Sequence, residues 1–223
     1  QTIDFDIVDL DGDFDLDVFM SSRNSQGRTY MNNKYNGVSG NMFHDVTLTA
    51  LINTGATLSG QNNYEGEYGD LDGDGDFDVW MKNYSGNNDR ILRNNGVSGG
   101  FYSFTIMTSW IVGDPVFDEN EVDMIDYDND GDLDSFIANF SGTNWIYQGG
   151  VAQGLTSAQG LYHRTGGGAS LAAAFPETPS TNNGGTSLDA DVADLDNDGD
   201  DDIMVANDAN QQNRLNSNVL GVP

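Results

Sequence analysis

The 223-residue sequence contains no cysteine, two histidines and only eight lysines and arginines, against 36 acidic residues. The lack of cysteine excludes disulfides and thiolate metal sites, and two histidines supply few nitrogen ligands, so zinc and other soft-ligand metals are disfavoured. The formal net charge of −28 disfavours nucleic acid and anionic membranes as partners. No apolar run approaches the roughly 18 residues of a membrane-spanning helix, so we predict no membrane insertion.

Aspartate accumulates instead in short segments, at alternate positions. The stretch from Gly69 to Trp80 reads GDLDGDGDFDVW. Two carboxylates about 4 Å apart repel by roughly 1 kcal/mol in water and by more near protein, so such a loop is either splayed and disordered or wrapped around a cation. Four residues that are expected to be buried follow at once and argue for the cation: Phe77, Val79, Trp80 and Met81. Calcium takes six to eight oxygen ligands of this kind.

The pattern occurs four times, with aspartate at loop positions 1, 3, 5, 7 and 9 of every copy. The copies are DLDGDFDLD, DLDGDGDFD, DYDNDGDLD and DLDNDGDDD, which start at residues 9, 70, 126 and 194. An EF-hand would place a bidentate Glu at position 12. Position 12 is apolar in all four copies, so the EF-hand is excluded: Met20, Met81, Ile137 and Val205.

The surroundings of the four loops predict β-structure. A short apolar run follows each loop, and a second one begins about nineteen residues after each loop start, as at Arg28 and Arg90. Asn-Gly, the strongest short hairpin signal, comes next at Asn36–Gly37 and Asn95–Gly96. A unit of about sixty residues with four strands is the size of one β-propeller blade. We therefore predict an all-β chain of four-stranded blades, with repeats over approximately 1–61, 62–117, 118–185 and 186–223, the last blade being incomplete.

These loops, with the apolar strand and Asn-rich hairpin that follow, resemble the FG-GAP/VCBS repeat family, more in its bacterial secreted form than in the integrin α-subunit propeller. The resemblance covers nearly the whole chain. It implies one Ca²⁺ per loop, about four ions, bound between the first two strands of each blade. The implied side-chain ligands, at positions 1, 3, 5 and 9, are Asp9, Asp11, Asp13, Asp17, Asp70, Asp72, Asp74, Asp78, Asp126, Asp128, Asp130, Asp134, Asp194, Asp196, Asp198 and Asp202. The implied backbone carbonyls, at position 7, are those of Asp15, Asp76, Asp132 and Asp200.

Two residues depart from the family pattern. Phe14 stands at position 6 of the first loop, where glycine is usual, so we expect a strained turn or a weaker site. Asp201 stands at position 8 of the last loop, where an apolar residue is usual, so we expect the loss of a packing residue. The family most often has seven or eight blades. Four repeats therefore indicate either part of a longer chain or closure by self-association with another copy.

The sequence contains no motif of a nucleophilic or metal-dependent hydrolase. His44 and His163 are interpreted as packed or surface residues, and the acids that precede the second and third loops, such as Glu65 and Glu67, as solvated charges. Calcium dependence indicates a secreted or cell-surface protein. The expected function is non-catalytic adhesion or recognition of a glycan or surface protein, or structural assembly. A carbohydrate-active enzyme, or its accessory propeller, is the alternative.

Overall fold

The computed structural model describes residues 2–22, 28–32, 43–45, 63–83, 88–98, 101–114, 119–140, 144–151, 154–156, 159–165, 186–208 and 213–218. All regular secondary structure in these ranges is β-strand. The chain forms two compact units, one made of Gln1–Tyr84 and Asp89–Thr108, the other of Ser85–Asn88 and Ser109–Pro223. Each unit contains two small sheets, and each sheet is built around one of the aspartate-rich loops.

Unit 1 contains two four-stranded antiparallel sheets, whose strands lie in chain order. Sheet A consists of β1 (Thr2–Val8), β2 (Asp17–Ser22), β3 (Arg28–Asn32) and β4 (Phe43–Asp45). Sheet B consists of β5 (Asn63–Gly69), β6 (Asp78–Asn83), β7 (Arg90–Ser98) and β8 (Phe101–Ile106).

Unit 2 contains sheets C and D. Sheet C consists of β9 (Ile111–Val112), β10 (Glu119–Ile125), β11 (Asp134–Asn139), β12 (Trp145–Gln148) and β13 (Tyr162–Thr165). Its first strand, β9, pairs in parallel with β13 at the edge of an otherwise antiparallel sheet, which the sequence did not predict. Sheet D consists, in the described residues, of β14 (Ser187–Ala193), β15 (Asp202–Asn207) and β16 (Arg214–Asn216).

The same register recurs in all four sheets. The first strand pairs with the second so that the residue before the loop faces loop position 9, as Val8 faces Asp17. Each first strand also carries a bulge at the same repeat position, between Thr2 and Phe5 in sheet A and at its equivalents in the others. The predicted fold class, an all-β chain of β-propeller blades, is confirmed.

In each unit the core lies between the two sheets. In unit 1, Val8, Leu10 and Phe19 of the sheet A repeat pack with Tyr68 and Val79 of sheet B, and Met31, Met81, Leu92, Phe104 and Ile106 complete the cluster. In unit 2, the core residues from the sheet C repeat are Ile125, Tyr127, Phe136, Ala138 and Ile146, and those from sheet D are Ala190, Val192, Ile203 and Val205. The apolar runs after each loop thus supply the cores.

One predicted turn is wrong. Asn95–Gly96 was expected to join two strands, but both residues lie inside β7, where the register against β8 shifts between Asn94 and Val97. Gly96 has a φ of 65° and forms a bulge rather than a hairpin turn. The first copy, Asn36–Gly37, lies outside the described residues, as do the residues around the predicted repeat boundaries at 61 and 117.

Candidate metal centre

Each aspartate-rich loop joins the first two strands of its sheet and turns tightly. Positions 4 and 6 have positive φ in all four loops, which requires a left-handed backbone twice within three residues. The residues at these positions are Gly12 and Phe14, Gly73 and Gly75, Asn129 and Gly131, and Asn197 and Gly199. Glycine and asparagine adopt this conformation most readily, so the Gly and Asn residues between the aspartates make the turn possible.

The first aspartate of each loop closes the turn. In the first loop, Asp9 Oδ1 accepts the N–H of Gly12 at 2.9 Å and of Asp13 at 3.1 Å, and Oδ2 accepts that of Phe14 at 3.0 Å. The N–H at position 6 donates to the aspartate at position 1 in the other three loops also, at 3.0 to 3.2 Å. These bonds draw loop positions 1 to 6 into a ring of backbone around the first carboxylate.

The aspartate at position 9 connects the loop to the sheet. Asp78 Oδ2 accepts the N–H of Leu71 at 3.1 Å, and Oδ1 accepts the N–H of Asn94, on the third strand, at 2.7 Å. The other three loops repeat both bonds at equivalent residues, between 2.7 and 2.9 Å. Position 9 is fully buried in every loop: Asp17, Asp78, Asp134 and Asp202. Each of these carboxylates therefore connects three parts of its own blade.

The loops bring aspartate oxygens together in four groups. In each group, one carboxylate oxygen from each of three residues lies within 4.8 Å of the other two. The groups are Asp9, Asp11 and Asp13; Asp70, Asp72 and Asp78; Asp126, Asp128 and Asp134; and Asp194, Asp196 and Asp202. The last three groups share positions 1, 3 and 9, whereas the first combines positions 1, 3 and 5. Each group can hold a metal ion.

The remaining predicted ligands lie beside these groups. They are Asp17, Asp74, Asp130 and Asp198 among the side-chain ligands, and Asp15, Asp76, Asp132 and Asp200 at position 7. In every loop the position 5 carboxylate accepts the N–H of position 7, at 3.1 to 3.3 Å. Ligation by these remaining residues, and the identity of the ion as calcium, stay predictions.

The carboxylate oxygens at loop position 3 are suited to bind a cation. Oδ1 of the position 3 aspartate is buried and has no hydrogen-bond partner in Asp11, Asp72 and Asp128. A buried carboxylate oxygen that accepts no hydrogen bond is costly. A hard cation bound between the three aspartates would remove that cost, and carboxylate oxygen is the ligand type that calcium prefers.

The raised pKa values of the loop carboxyls also indicate a cation site. Burial, as the largest cause, raises the pKa of Asp78 and of Asp134 to about 8, and neighbouring carboxylates add to the effect. Burial likewise raises the pKa of Asp11 and Asp17 to about 6, with a contribution from Asp13 in both cases. Without a bound cation these loops hold protons that exposed aspartates would release, because the charged form is disfavoured.

The two loop residues that differ from the other copies, Phe14 at position 6 and Asp201 at position 8, have different consequences. Phe14 has a φ of 70° and is 94% exposed, so the first loop carries a left-handed phenylalanine that packs against little. The expected strain is therefore present. Position 8, in contrast, is not a core position: Leu16 is 56% and Phe77 42% exposed. Asp201 costs no core residue, and its Oδ2 accepts the N–H of Asp126 at 3.3 Å; the expected packing loss is wrong.

The sequence did not predict the role of an asparagine that lies in or just after the third strand of two sheets. Asn94 donates from Nδ2 to the carbonyl of Leu10, in the loop of sheet A, at 2.9 Å, and to that of Phe77, in its own loop, at 3.2 Å. Asn218 similarly donates to Tyr127, in the loop of sheet C, at 2.9 Å. Both asparagines stand 24 residues after their loop start, a recurrence that could have identified them. They join the loops of the two sheets within each unit.

The prediction that Glu65 and Glu67 are solvated charges is also wrong. Glu65 is only 3% exposed, and the pKa of Glu67 is raised to about 7, chiefly by burial and further by Asp4. They are not solvated charges. His44 lies exposed in β4, and His163 lies partly buried in β13 with its Nε2 donating to the carbonyl of Gly160 at 3.1 Å, which agrees with packed or surface roles.

A cavity lies beside the loop of sheet C. It has a volume of about 370 Å³ and is lined by Gln148, Gly149, Leu155, Gln159 and His163. Two of these residues contact the loop: Gln148 Nε2 donates to Asp128 Oδ2 at 2.6 Å, and the Gly149 N–H donates to Asp134 Oδ1 at 2.7 Å. Any ion bound in this loop would therefore order one wall of the cavity.

No protein-family model matches the chain, and no curated protein matches its sequence. In the ranges that the structure describes, no helix is long and apolar enough to cross a membrane.

Proposed function

We propose that this chain is a calcium-stabilised extracellular recognition module, in which each aspartate-rich loop binds one Ca²⁺. The observation that carries the proposal is the fourfold recurrence of three converging aspartate oxygens between the first two strands of a sheet. The donor set is entirely oxygen, which suits calcium and not zinc. The resemblance to FG-GAP/VCBS repeats supports the same assignment.

The energetics of calcium binding favour an extracellular location. Extracellular calcium modules typically bind with a Kd of about 10⁻⁴–10⁻³ M. In millimolar calcium, a Kd of about 10⁻⁴ M stabilises the folded state by roughly 1.4 kcal/mol for each site. Four independent sites would contribute about 6 kcal/mol, which is comparable to the net stability of a whole domain. A compartment poor in calcium would not provide this contribution.

The cavity beside the loop of sheet C is the place that we assign to a glycan ligand. Its volume of about 370 Å³ lies in the range of sites for small molecules. Its lining combines the amides of Gln148 and Gln159 with the imidazole of His163 and the aliphatic Leu155. Amide and imidazole groups hydrogen-bond to neutral hydroxyls, and an aliphatic wall covers the apolar face of a sugar ring. Calcium would act through the wall formed by Gln148 and Gly149.

Isothermal titration of CaCl₂ into the calcium-depleted chain tests the metal sites. We expect four bound ions, with a Kd between about 10⁻⁵ and 10⁻³ M. The same chain should melt at a higher temperature in 2 mM CaCl₂ than in EDTA. The absence of heat and of a thermal shift would refute the calcium assignment.

A glycan-array screen in 2 mM CaCl₂, repeated in EDTA, tests the recognition role. We expect calcium-dependent retention of a defined glycan, weakened at least tenfold by Gln159→Ala and unchanged by Asn95→Ala, which lies exposed in sheet B. Polymer supernatants are examined for released oligosaccharides in the same experiment. Their appearance would favour the carbohydrate-active enzyme, and retention by neither variant nor parent would remove the glycan from the proposal.

A further inference from the structure

Each sheet of this chain has two faces that the repeat distinguishes. We define the front face by the residues four and two positions before the first aspartate of the loop, together with positions 10 and 12 of the loop. We define the back face by the residue immediately before the loop and by loop positions 2 and 11. In sheet B the front face contains Tyr68, Val79 and Met81, and in sheet A the back face contains Val8, Leu10 and Phe19.

Both units pack one sheet on the other by the same rule. In unit 1, the back face of sheet A covers the front face of sheet B: Phe19 and Tyr68 meet edge to face, with ring centroids 5.7 Å apart. In unit 2, the back face of sheet C, with Ile125, Tyr127 and Phe136, covers the front face of sheet D, with Ile203 and Val205. A back face therefore has a specific complement, the front face of another blade.

Within the part of the chain that the structure describes, no other sheet covers the front face of sheet A. Phe5 and Ile7 are 61% and 57% exposed, and Val18, Met20 and Tyr30 beside them are partly exposed. Val79 and Met81, the equivalents of Val18 and Met20 in sheet B, are fully buried. The difference arises from packing and not from sequence, since the first-sheet residues are as apolar as their buried equivalents.

Sheet D presents the matching back face. Leu195, Met204 and Leu215 are 49%, 48% and 55% exposed, whereas Leu10 and Phe19, which are equivalent to the first two in sheet A, are each 2% exposed. Met204 and Leu215 are cross-strand neighbours and form a continuous apolar surface. One chain thus exposes one face of each kind, which are the two halves of the interface found inside both units.

The charges around the two faces differ, and one face is locally neutral. Asp189 and Asp191 are exposed in β14, and Asp191 is the cross-strand neighbour of Met204 on the back face of sheet D. Arg28, the cross-strand neighbour of Met20, is exposed on the front face of sheet A, where it pairs with Asp45 at 2.8 Å. In a chain with a net charge of −28, this neutral ion pair adds no repulsion to the approach of a second acidic copy.

We propose that the back face of sheet D binds the front face of sheet A in a second copy of this chain, head to tail. The contact continues the sheet-on-sheet interface that each unit already contains. Because it joins two different surfaces, it is heterologous, and it forms a closed ring if two copies satisfy both faces, or a longer polymer if they do not. The proposal is independent of the calcium sites and of the glycan cavity.

The test measures molar mass by light scattering after size exclusion, in 2 mM CaCl₂, with the chain at 1 to 100 μM. We expect the chain, of 24.1 kDa, to elute as a dimer or a larger multiple at the higher concentrations. Ile7→Asp blocks the front face and Met204→Asp the back face, and each should yield a monomer. Val97→Asp, which also introduces a charge at an exposed apolar residue but lies outside both faces, should associate like the parent.

Mixing the two blocked variants separates a head-to-tail contact from a face-to-itself contact. The Ile7→Asp chain retains its back face and the Met204→Asp chain its front face, so an equimolar mixture should form a dimer with a single junction. A cooperative melting transition near the temperature of the parent chain confirms that each variant is folded. A monomeric parent at 100 μM would overturn the proposal, as would association that only one of the two variants abolishes.

Discussion

At the scale of single residues, the aspartate at loop position 3 carries the strongest signature of a cation site. Oδ1 of Asp72 is buried without a hydrogen-bond partner, and the pKa of this carboxyl is raised, chiefly by burial. Asp72→Ala is expected to lower the melting temperature by about 3–6 °C in millimolar calcium, which corresponds to the loss of one site worth roughly 1.4 kcal/mol. In EDTA the change should be smaller, because no ion is lost and only the partly exposed ion pair of Asp72 with Arg93, 2.9 Å long, is removed. Thermal melts in both buffers measure the difference.

The control for this substitution is Asp189→Ala, which removes an exposed aspartate of β14 outside the loops. It should leave both melting temperatures within about 1 °C of the parent. An equal destabilisation of Asp72→Ala in calcium and in EDTA would contradict the role of Asp72 as a ligand.

Phe14 is the residue that weakens its own loop. Its left-handed φ of 70° costs about 1–2 kcal/mol relative to glycine, and at 94% exposure the ring returns little by packing. Phe14→Gly should therefore raise the stability of the chain by about 1 kcal/mol, less the entropy that glycine loses on folding. Urea unfolding in millimolar calcium measures the change.

The reverse substitution in the second loop is the matched test. Gly75 has a φ of 94°, and a Cβ added to it would meet no atom within 4 Å, so Gly75→Ala changes backbone strain without a clash. It should destabilise the chain by about 1 kcal/mol. If Phe14→Gly also destabilises, the ring contributes an interaction that outweighs its strain.

At the scale of elements, the sequence predicted the loops better than the contacts that hold them. The alternating aspartates and the apolar runs after them determine where four strands begin: β2, β6, β11 and β15. These signals are local, because the charged residues favour a loop and the apolar residues that follow favour a buried strand. The N–H of Asn94, on the third strand, donates to Asp78, which lies sixteen residues earlier in the chain. This hydrogen bond therefore depends on how the strands are paired, which a local pattern does not specify. Asn95–Gly96 shows the limit of local signals: the dipeptide favours a left-handed residue, but the pairing of β7 with β8 turns it into a bulge.

The Asn94 side chain joins two elements that the chain separates widely. Asn94→Ala removes the donors of the Leu10 and Phe77 carbonyls and should destabilise the chain by about 1–3 kcal/mol, because the Leu10 carbonyl is left unpaired in a buried place. Asn95→Ala, at the exposed neighbouring position, is the control: it removes exposed hydrogen bonds to Ser103 and Thr105 within sheet B but none to a loop, and should cost less, about 0.5–1 kcal/mol. Urea unfolding in calcium compares them; similar losses would show that Asn94 does not couple the loops.

The pH dependence of the calcium-free chain follows from its buried loops. The pKa of Asp78 and Asp134 is raised to about 8 from an ordinary value of 3.8. A carboxyl with a higher pKa in the folded than in the unfolded state contributes stability that is complete below pH about 4 and lost as the pH rises through 8. In calcium-depleted buffer the melting temperature should therefore fall between pH 5 and pH 8.

Calcium should reverse this trend, because the ion competes with protons for the same carboxylates. The calcium-dependent increase in melting temperature is expected to grow from pH 5 to pH 8, and thermal melts at pH 5, 6.5 and 8 measure it. Asp78→Asn removes one of the titrating groups and should reduce the fall in depleted buffer. A melting temperature that rises with pH in depleted buffer would contradict the assignment.

At the scale of the whole molecule, the repeat allowed the sequence to predict four similar sheets, but not which faces would be covered. Phe5 and Val18 of sheet A are as apolar as Ala190 and Val79, which are buried at the equivalent positions of their own sheets. Hydrophobicity alone therefore predicted burial for all of them. Whether a face is covered depends on the packing partner, which is a property of the assembled sheets and not of any local pattern. The parallel strand β9 is unpredictable for the same reason.

The net charge of the whole chain leads to a last prediction, about salt. Four Ca²⁺ ions would change the charge from −28 to about −20, since each adds +2. Self-repulsion of the folded state is therefore larger in the calcium-free chain, and much of it comes from the twenty aspartates concentrated in four loops. The Debye length shortens from about 10 Å at 0.1 M salt to about 3 Å at 1 M, so salt relieves repulsion between carboxylates that are a few ångströms apart.

Raising NaCl from 0.1 to 1 M should consequently increase the melting temperature more in calcium-depleted buffer than in 2 mM CaCl₂. Sodium sulfate would also strengthen apolar burial, so NaCl is the better probe of screening. Sucrose at matched osmolality is the control for effects other than charge and should act equally in both buffers. An equal response to NaCl with and without calcium would mean that the ions do not neutralise the loops, which would place the excess charge elsewhere in the chain.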